Sequence, residues 1–342
     1  MNTCKITAAL FFICILISCD EYDLVRTNPH DPKSKNYNPL PELTTATATA
    51  ITSNSATMGG KVTYYGGDTV IARGVCWSTT TNPTYTNTRT TNGSGKGSFV
   101  SSLTGLTPIT TYYVRAYAII DAGTAYGNEL SFTTLSPVTD IDGNVYNTVA
   151  IGAQVWITEN LKTTRYNDGT LIPNVTDGAT WKLLTSGAYC WYDNNEAKYK
   201  SYLGALYNWY TVETSTLCPT GWHVPSDDEW KTLEIHLGMT KAQTDSVGNR
   251  GTDEGTKLKV ALREIGSSWS PSHGTNTTGF TAYPGGFCYD GSGLIGYYGY
   301  WWSSTQPNTF HGWYRSLNYV QGGIQRNFAD IKYGFSVRCL KD

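Results

Sequence analysis

The sequence predicts a two-domain chain, an all-β sandwich followed by a mixed α+β domain. Three observations point there. Residues 42 to 135 are short alternating runs such as Gly60-Lys61-Val62-Thr63-Tyr64 and Val70 to Trp77, separated by Gly, Asn and Pro turns, as in sandwich strands. Residues 226 to 238 spell a complete helix: Ser226 as N-cap, Glu229 three residues on, Trp230, Leu233 and Leu237 at helical spacing, and Gly238 as the stop. After about residue 268 the chain turns Gly-, Tyr- and Trp-rich with little helical period, which suits loops and strands.

The chain has 342 residues with a formal net charge of −2, and only 15% of its residues are charged. A near-neutral balance argues against a nucleic-acid partner. With 39% hydrophobic and 13% aromatic residues, two cores can be filled and disorder is excluded.

Residues 1 to 18 read as a targeting segment. Lys5 is the positive end, and Ile6 to Ile17 form an apolar run shorter than the ~20 residues of a mature spanning helix. Leu16-Ile17-Ser18-Cys19 resembles a bacterial lipobox. The resemblance implies cleavage before Cys19, a diacylglycerol on its thiol and a membrane anchored by it. The acidic cluster Asp20, Glu21 and Asp23 is similar to the surface-export signal of Bacteroidetes lipoproteins. In enterobacterial lipoproteins an Asp after the cysteine instead favours inner-membrane retention, but the downstream domains fit the surface of an outer membrane better. Residues 19 to 41, with Pro29, Pro32, Pro39 and Pro41 among polar residues, make an extended tether.

Within residues 42 to 135, Leu106-Thr107-Pro108-Ile109-Thr110-Thr111-Tyr112 resembles the corner of fibronectin type III domains, where a tyrosine hydroxyl bonds back to the chain. Gly123 to Thr134 is expected as the final hairpin strand, Cys76 as a buried thiol, and Asn92 to Gly97 as a turn, since it lacks the spacing of a phosphate loop. The domain reads as a spacer rather than an adhesive module.

Residues 137 to 342 open with a predicted hairpin, Val145 and Tyr146 in one strand and Val155, Trp156 and Ile157 in the other. A first helix is expected with Leu203, Leu206, Tyr207 and Tyr210 on one face, a second from Asp227, and a shorter one over Lys257 to Ile265. Several pieces resemble the Fibrobacter succinogenes major paralogous domain, in order: Asp140 to Tyr146, Trp156 to Leu161, Leu203 to Trp209, Gly221-Trp222-His223-Val224-Pro225-Ser226-Asp227-Asp228-Glu229-Trp230, Tyr300 to Thr305, and Gly334 to Cys339. The resemblance implies a fold similar to C-type lectins and formylglycine-generating enzymes.

Lectin-like folds often tie the helical region to the last strand. By that analogy Cys218 pairs with Cys339, closing a loop of about 120 residues and contributing roughly 4–5 kcal/mol in the chain-entropy model. A pairing of Cys190 with Cys288 is possible. Zinc is not indicated, since there is no Cys-x-x-Cys and the histidines are scattered.

No recognisable catalytic set is present: neither His-Glu-x-x-His, nor Gly-x-Ser-x-Gly, nor a dinucleotide fingerprint. The formylglycine-generating relatives bind copper through two nearby C-terminal cysteines, and no such close pair occurs here. His223 reads as a structural histidine, and Asp227, Asp228 and Glu229 are explained by the helix start. For calcium, Gln306-Pro307-Asn308 half-matches a sugar-binding tripeptide without its later Trp-Asn-Asp, and Asp140 to Asn144 reads as a turn. No enzyme activity, cofactor or metal is therefore expected.

Aromatic and amide residues concentrate between Tyr289 and Phe328. Trp302 and Tyr314 belong to the family-like framework and are expected to be buried. The others offer rigid contact area and paired donors and acceptors, and Tyr298, Asn308, His311, Trp313, Asn318 and Tyr319 are the candidate ligand-binding set. The resulting expectation is a non-enzymatic surface lipoprotein binding a glycan or extracellular protein. The alternative is a structural component whose head packs on neighbouring proteins.

Overall fold

The computed structural model describes residues 39–64, 68–260 and 274–342. Cys19, the targeting segment, most of the tether, and the expected helix beyond residue 260 lie outside the described residues.

The first domain contains β1 (Glu42–Thr49), β2 (Ser55–Tyr64), β3 (Ala72–Ser78), β4 (Thr88–Arg89), β5 (Gly97–Thr104), β6 (Thr111–Ile120), β7 (Gly123–Tyr126) and β8 (Leu130–Thr133). One sheet runs β1-β2-β5, and the other runs β4-β3-β6-β7 with β8 also on β6. This is a fibronectin type III-like sandwich. Its core joins Val62, Val75, Trp77, Phe99, Leu103 and Val114. The tyrosine corner is formed, with the Thr107 N–H donating to the Tyr112 hydroxyl at 3.0 Å. The expected last strand is split in two, because Gly127 passes so close to Thr45 that a Cβ there would meet its Oγ1 at 2.7 Å. Cys76 is buried in β3, and burial pushes its thiol pKa up to about 11.

The second domain is mixed. β9 (Val138–Thr139) pairs with β10 (Val145–Tyr146), and β11 (Thr148–Ile151) with β12 (Gln154–Ile157). The single expected hairpin is thus two. The first turns through Asp140, whose carboxylate accepts the Asp142 and Asn144 N–H groups and the Tyr146 hydroxyl. The second turns at Gly152, at φ 63°.

There follow α1 (Gly178–Lys182), β13 (Tyr189–Cys190), α2 (Glu196–Leu203), β14 (Leu206–Tyr207), α3 (Trp209–Val212), β15 (Trp222–His223), α4 (Asp227–Leu237), α5 (Lys241–Asp245), β16 (Gly248–Arg250) and α6 (Glu254–Leu258). The expected helix through Leu203, Leu206, Tyr207 and Tyr210 is broken. Gly204 lies at φ 73°, and a Cβ there would sit 2.6 Å from the Leu161 carbonyl. Beyond it the chain is extended, and Tyr207 exchanges backbone hydrogen bonds with Phe335.

The domain closes with β17 (Phe287–Cys288), β18 (Ser292–Gly293), β19 (Tyr298–Trp302), β20 (His311–Asn318), β21 (Ile324–Asp330) and β22 (Leu340–Lys341). Two four-stranded sheets result, β11-β12-β22-β15 and β16-β21-β20-β19. Cys218 and Cys339 are disulfide-bonded, Cα atoms 6.0 Å apart.

The domains meet edge to edge. Thr52, in the turn between β1 and β2, bridges Val149 on the outer edge of the first sheet, and the Ala150 N–H donates to the Ile51 carbonyl at 3.2 Å. The Ser53 hydroxyl donates to Asn147 Oδ1 at 2.6 Å, and the Asn147 amide donates to Glu159 at 2.9 Å. Glu159 belongs to the Trp156–Leu161 motif, so that motif also fixes the junction.

Candidate functional site

The motif residues converge inward. Asn160 is buried, and its amide donates to the Leu203 carbonyl at 2.8 Å and the Ser336 hydroxyl at 3.1 Å. Its Oδ1 accepts from Trp301 Nε1 at 2.9 Å and Arg338 Nε at 2.8 Å. Arg338 is fully buried. Its other donors reach the carbonyls of Ile157, Phe280 and Thr281, and its guanidinium lies 4.6 Å from the Phe280 ring centre. Burial pulls its pKa down to about 9. Four motifs distant in sequence thus meet at one hydrogen-bonded hub.

A second hub joins α4 to β16, β20 and β21. Asp227 accepts from Arg315 at 2.7 Å and from Arg326 Nε and Nη2 at 2.9 and 2.8 Å. Glu234 accepts from both Nη atoms of Arg250, each at 2.8 Å, and from Arg315 Nε at 2.6 Å. All five side chains are buried. The capping box from Ser226 to Glu229 is present, but Asp227 is more than a helix-start charge. Burial alone would raise its pKa, and the Arg326 and Arg315 guanidinia outweigh that and hold it far below the usual carboxylate range.

His223 sits between two carboxylates, Nδ1 2.6 Å from Asp342 and Nε2 2.9 Å from Glu229. Partial burial works against its charge, but Asp342 and Glu229 raise its pKa overall. It ties β15 to the chain's last residue and to α4.

The six candidate binding residues do not form one cluster. His311 and Asn318 are the two ends of β20, roughly 23 Å apart at strand rise. At the far end Tyr298 pairs with Asn318 in register and stacks on Tyr300. The Asn318 amide donates to Gln321 Oε1, and its Oδ1 accepts the Val320 and Gln321 N–H groups. It closes a turn, and Tyr319 packs edge-on against Tyr297.

At the near end Asn308, His311 and Trp313 come together with Phe328, which sequence reasoning missed, and Phe310 lies in the turn between Asn308 and His311. Trp313 lies opposite Phe328, and His311 opposite Asp330. Alternation puts this row on the face that carries Arg315 and Arg326. The Arg326 guanidinium lies 3.6 Å from the Trp313 ring centre and is itself locked by Asp227. Phe328 stands edge-on to Trp313 at 5.5 Å and to His311 at 5.2 Å. Asn308 Oδ1 lies 2.8 Å from His311 Nδ1 and accepts the Phe310 N–H. That bond places the imidazole proton on Nδ1 and makes Nε2 an acceptor when the ring is neutral. Phe310 is 72% and Phe328 43% exposed. The sequence signal for Phe328 was the alternation within Ile324–Asp330, readable once its register with β20 is known. Among the described residues, no group of three or more His, Cys, Asp or Glu is placed to hold a metal ion.

The molecule is therefore a two-domain protein, a fibronectin-like sandwich joined to a disulfide-closed mixed head whose sequence motifs are its internal framework. The Fibrobacter succinogenes major domain family matches residues 149–341, more than half the chain, and the chain belongs to this family. No curated protein matches it. Among solved structures it is similar to the sensor domain of the anti-sigma factor RsgI4 in Pseudobacteroides cellulosolvens, at 20% identity over 28% of this chain and 95% of that one, TM-score 0.23. It is also similar to a fibronectin type III domain of the human KIAA0970 protein, at 16% identity over 30% of this chain and 79% of that one, TM-score 0.21. A third is titin domains A168–A170, at 14% identity over 29% of this chain and 32% of that one, TM-score 0.21. Nothing about activity rests on these likenesses.

Proposed function

We propose that this is a non-enzymatic binding protein of the cell surface, anchored in the outer membrane through lipid on Cys19. In this reading the sandwich is a base that holds a C-type-lectin-like head toward a glycan or extracellular protein. The observation that supports it is the stripe Asn308, His311, Trp313 and Phe328, with the exposed Phe310 in the turn beside it. Trp313 is backed by a fixed guanidinium, so the platform is organised before any ligand arrives, which lowers the entropic cost of binding. Polar groups, Asn308 and His311, flank the aromatic surface, as sugar rings or peptide side chains require. Tyr298, Asn318 and Tyr319 fall outside this site.

The test is a glycan and extracellular-matrix array probed with residues 20 to 342, with and without EDTA. A chelator-resistant hit, lost in an Asn308→Ala, Phe310→Ser variant of unchanged melting temperature, is the expected result. A hit retained by that variant overturns the site. No hit from folded protein, with stable complexes on native membranes, favours the assembly reading, to which the exposed Phe310 is equally suited.

A further inference from the structure

Cys190 and Cys288 are far apart in the chain and meet in the core. Cys190 ends β13, with Leu206 of β14 opposite it. Cys288 ends β17 and is fixed by reciprocal backbone hydrogen bonds with Gly334, at 3.0 and 2.7 Å. Both belong to one cluster with Trp181, Tyr192, Tyr199 and Leu203, and they are 2% and 6% exposed. Both line the same cavity of about 20 Å³, and, beyond the effect of burial, Cys288 is near enough to Cys190 to raise its thiol pKa further. Packing at either position calls only for a small apolar group, so packing does not explain why two sulfurs face each other.

The turn from 289 to 292 forms one wall of the cavity, opposite Val175 to Gly178. Tyr289 stacks on Tyr333 with ring centres 4.5 Å apart. Lys182 pairs with Asp290, and the Asp193 N–H donates to the Ser292 hydroxyl at 2.8 Å. A space of that size holds about one water and excludes a thiol reagent as large as glutathione. Burial pushes the Cys190 thiol well above its ordinary pKa, so the attacking thiolate is scarce while the turn is shut.

We propose that Cys190 and Cys288 are a redox site, a dithiol in the form described and a second disulfide once oxidised by an exchangeable disulfide. One protein thiolate attacks the oxidant's disulfide, forming a mixed disulfide and expelling one thiol. The other cysteine attacks the protein sulfur of that bond, expelling the second. Two electrons pass to the oxidant, and the two protein thiol protons end on the two thiols released. The product cross-links β13 to β17 and ties the α1–α2 segment to the strands around β19. Exchange occurs in the folding chain or when the 289–292 turn opens.

The full chain is reduced and unfolded, refolded in defined mixtures of reduced and oxidised glutathione, acid-quenched, and alkylated under denaturing conditions. Peptide mapping is expected to show a Cys190–Cys288 cross-link and two fewer free thiols, with Cys76 still alkylated. Full alkylation of both cysteines, in a mixture where Cys218–Cys339 forms completely, overturns the proposal. The closure has its own readout. In the folded reduced protein, Asp290→Ala is expected to raise the rate of Cys190 and Cys288 alkylation by iodoacetamide several-fold. An unchanged rate overturns the gating role of the turn.

Discussion

Replacing Asp227 with Asn keeps the shape of the side chain and removes its charge. Asp227 is 5% exposed and receives three charged hydrogen bonds of 2.7–2.9 Å from Arg315 and Arg326. Arg315 retains Glu234, whereas Arg326 keeps the Asp245 carbonyl at 3.1 Å and the Trp313 ring but no carboxylate hydrogen bond among the described residues. Removing one partner of a buried pair costs about 3–5 kcal/mol. Ten of the eleven tryptophans lie beyond residue 137, all but Trp77, so urea unfolding followed by tryptophan fluorescence reports the head. With m about 2–3 kcal/mol/M, the midpoint should fall by about 1–2 M. The control is Asp228→Asn in the same helical turn, whose side chain is 91% exposed, with an expected change within about 0.5 kcal/mol. Because the folded pKa of Asp227 is depressed, its stabilisation is complete above the unfolded value near 4 and is lost as pH falls further. The gap between wild type and variant should therefore be full at pH 7 and narrow in strong acid. A loss below about 1 kcal/mol at pH 7, or equal losses at Asp227 and Asp228, refutes the hub.

Asn160→Ala leaves Trp301 Nε1, Arg338 Nε and the Leu203 carbonyl without their partner; at about 1–3 kcal/mol per buried orphan, the head should lose at least about 3 kcal/mol by the same assay. His223 has a raised folded pKa, so its contribution is present in full below the unfolded value near 6.5 and is lost as pH rises through the folded one. Melting scans should show wild type losing stability relative to His223→Gln across that interval, and parallel curves would rule this out. Asn147→Ala removes the acceptor of Ser53 and the amide link to Glu159; limited proteolysis should then cut the 134–137 connection faster than in wild type, while equal rates would show that the edge-to-edge bridge at Thr52 suffices.

Much of this fold was legible because local signals agreed with the final structure. The Ser226 capping box, the Gly238 stop and the Tyr112 corner are rules of short range, and each appears where the sequence places it. The failures have a common cause in long-range contact. The helical period of Leu203, Leu206 and Tyr207 loses to the close approach of Gly204 to Leu161 and to pairing with Phe335. Asp227 is adequately explained as a helix-start charge until Arg315 and Arg326 arrive from strands about 90–100 residues later. The candidate set is scattered for the same reason. Aromatic content marked the segment that carries the exposed rings, but Asn318 and Trp313 look alike as surface residues until β20 is threaded between β19 and β21. Phe328 is an ordinary apolar residue whose place beside Trp313 only register reveals.

The claim that the motifs form the framework while the His311 end of β20 and the facing end of β21 bind is tested most directly by one affinity measurement. The strongest array ligand is titrated by surface plasmon resonance against wild type and a Phe310→Ser, Phe328→Ser variant. Exposed aromatic anchors in a working site carry about 2 kcal/mol or more, so Kd should rise more than tenfold while the melting temperature stays within a few degrees. An unchanged Kd in a folded variant would place binding elsewhere on the molecule and contradict the account.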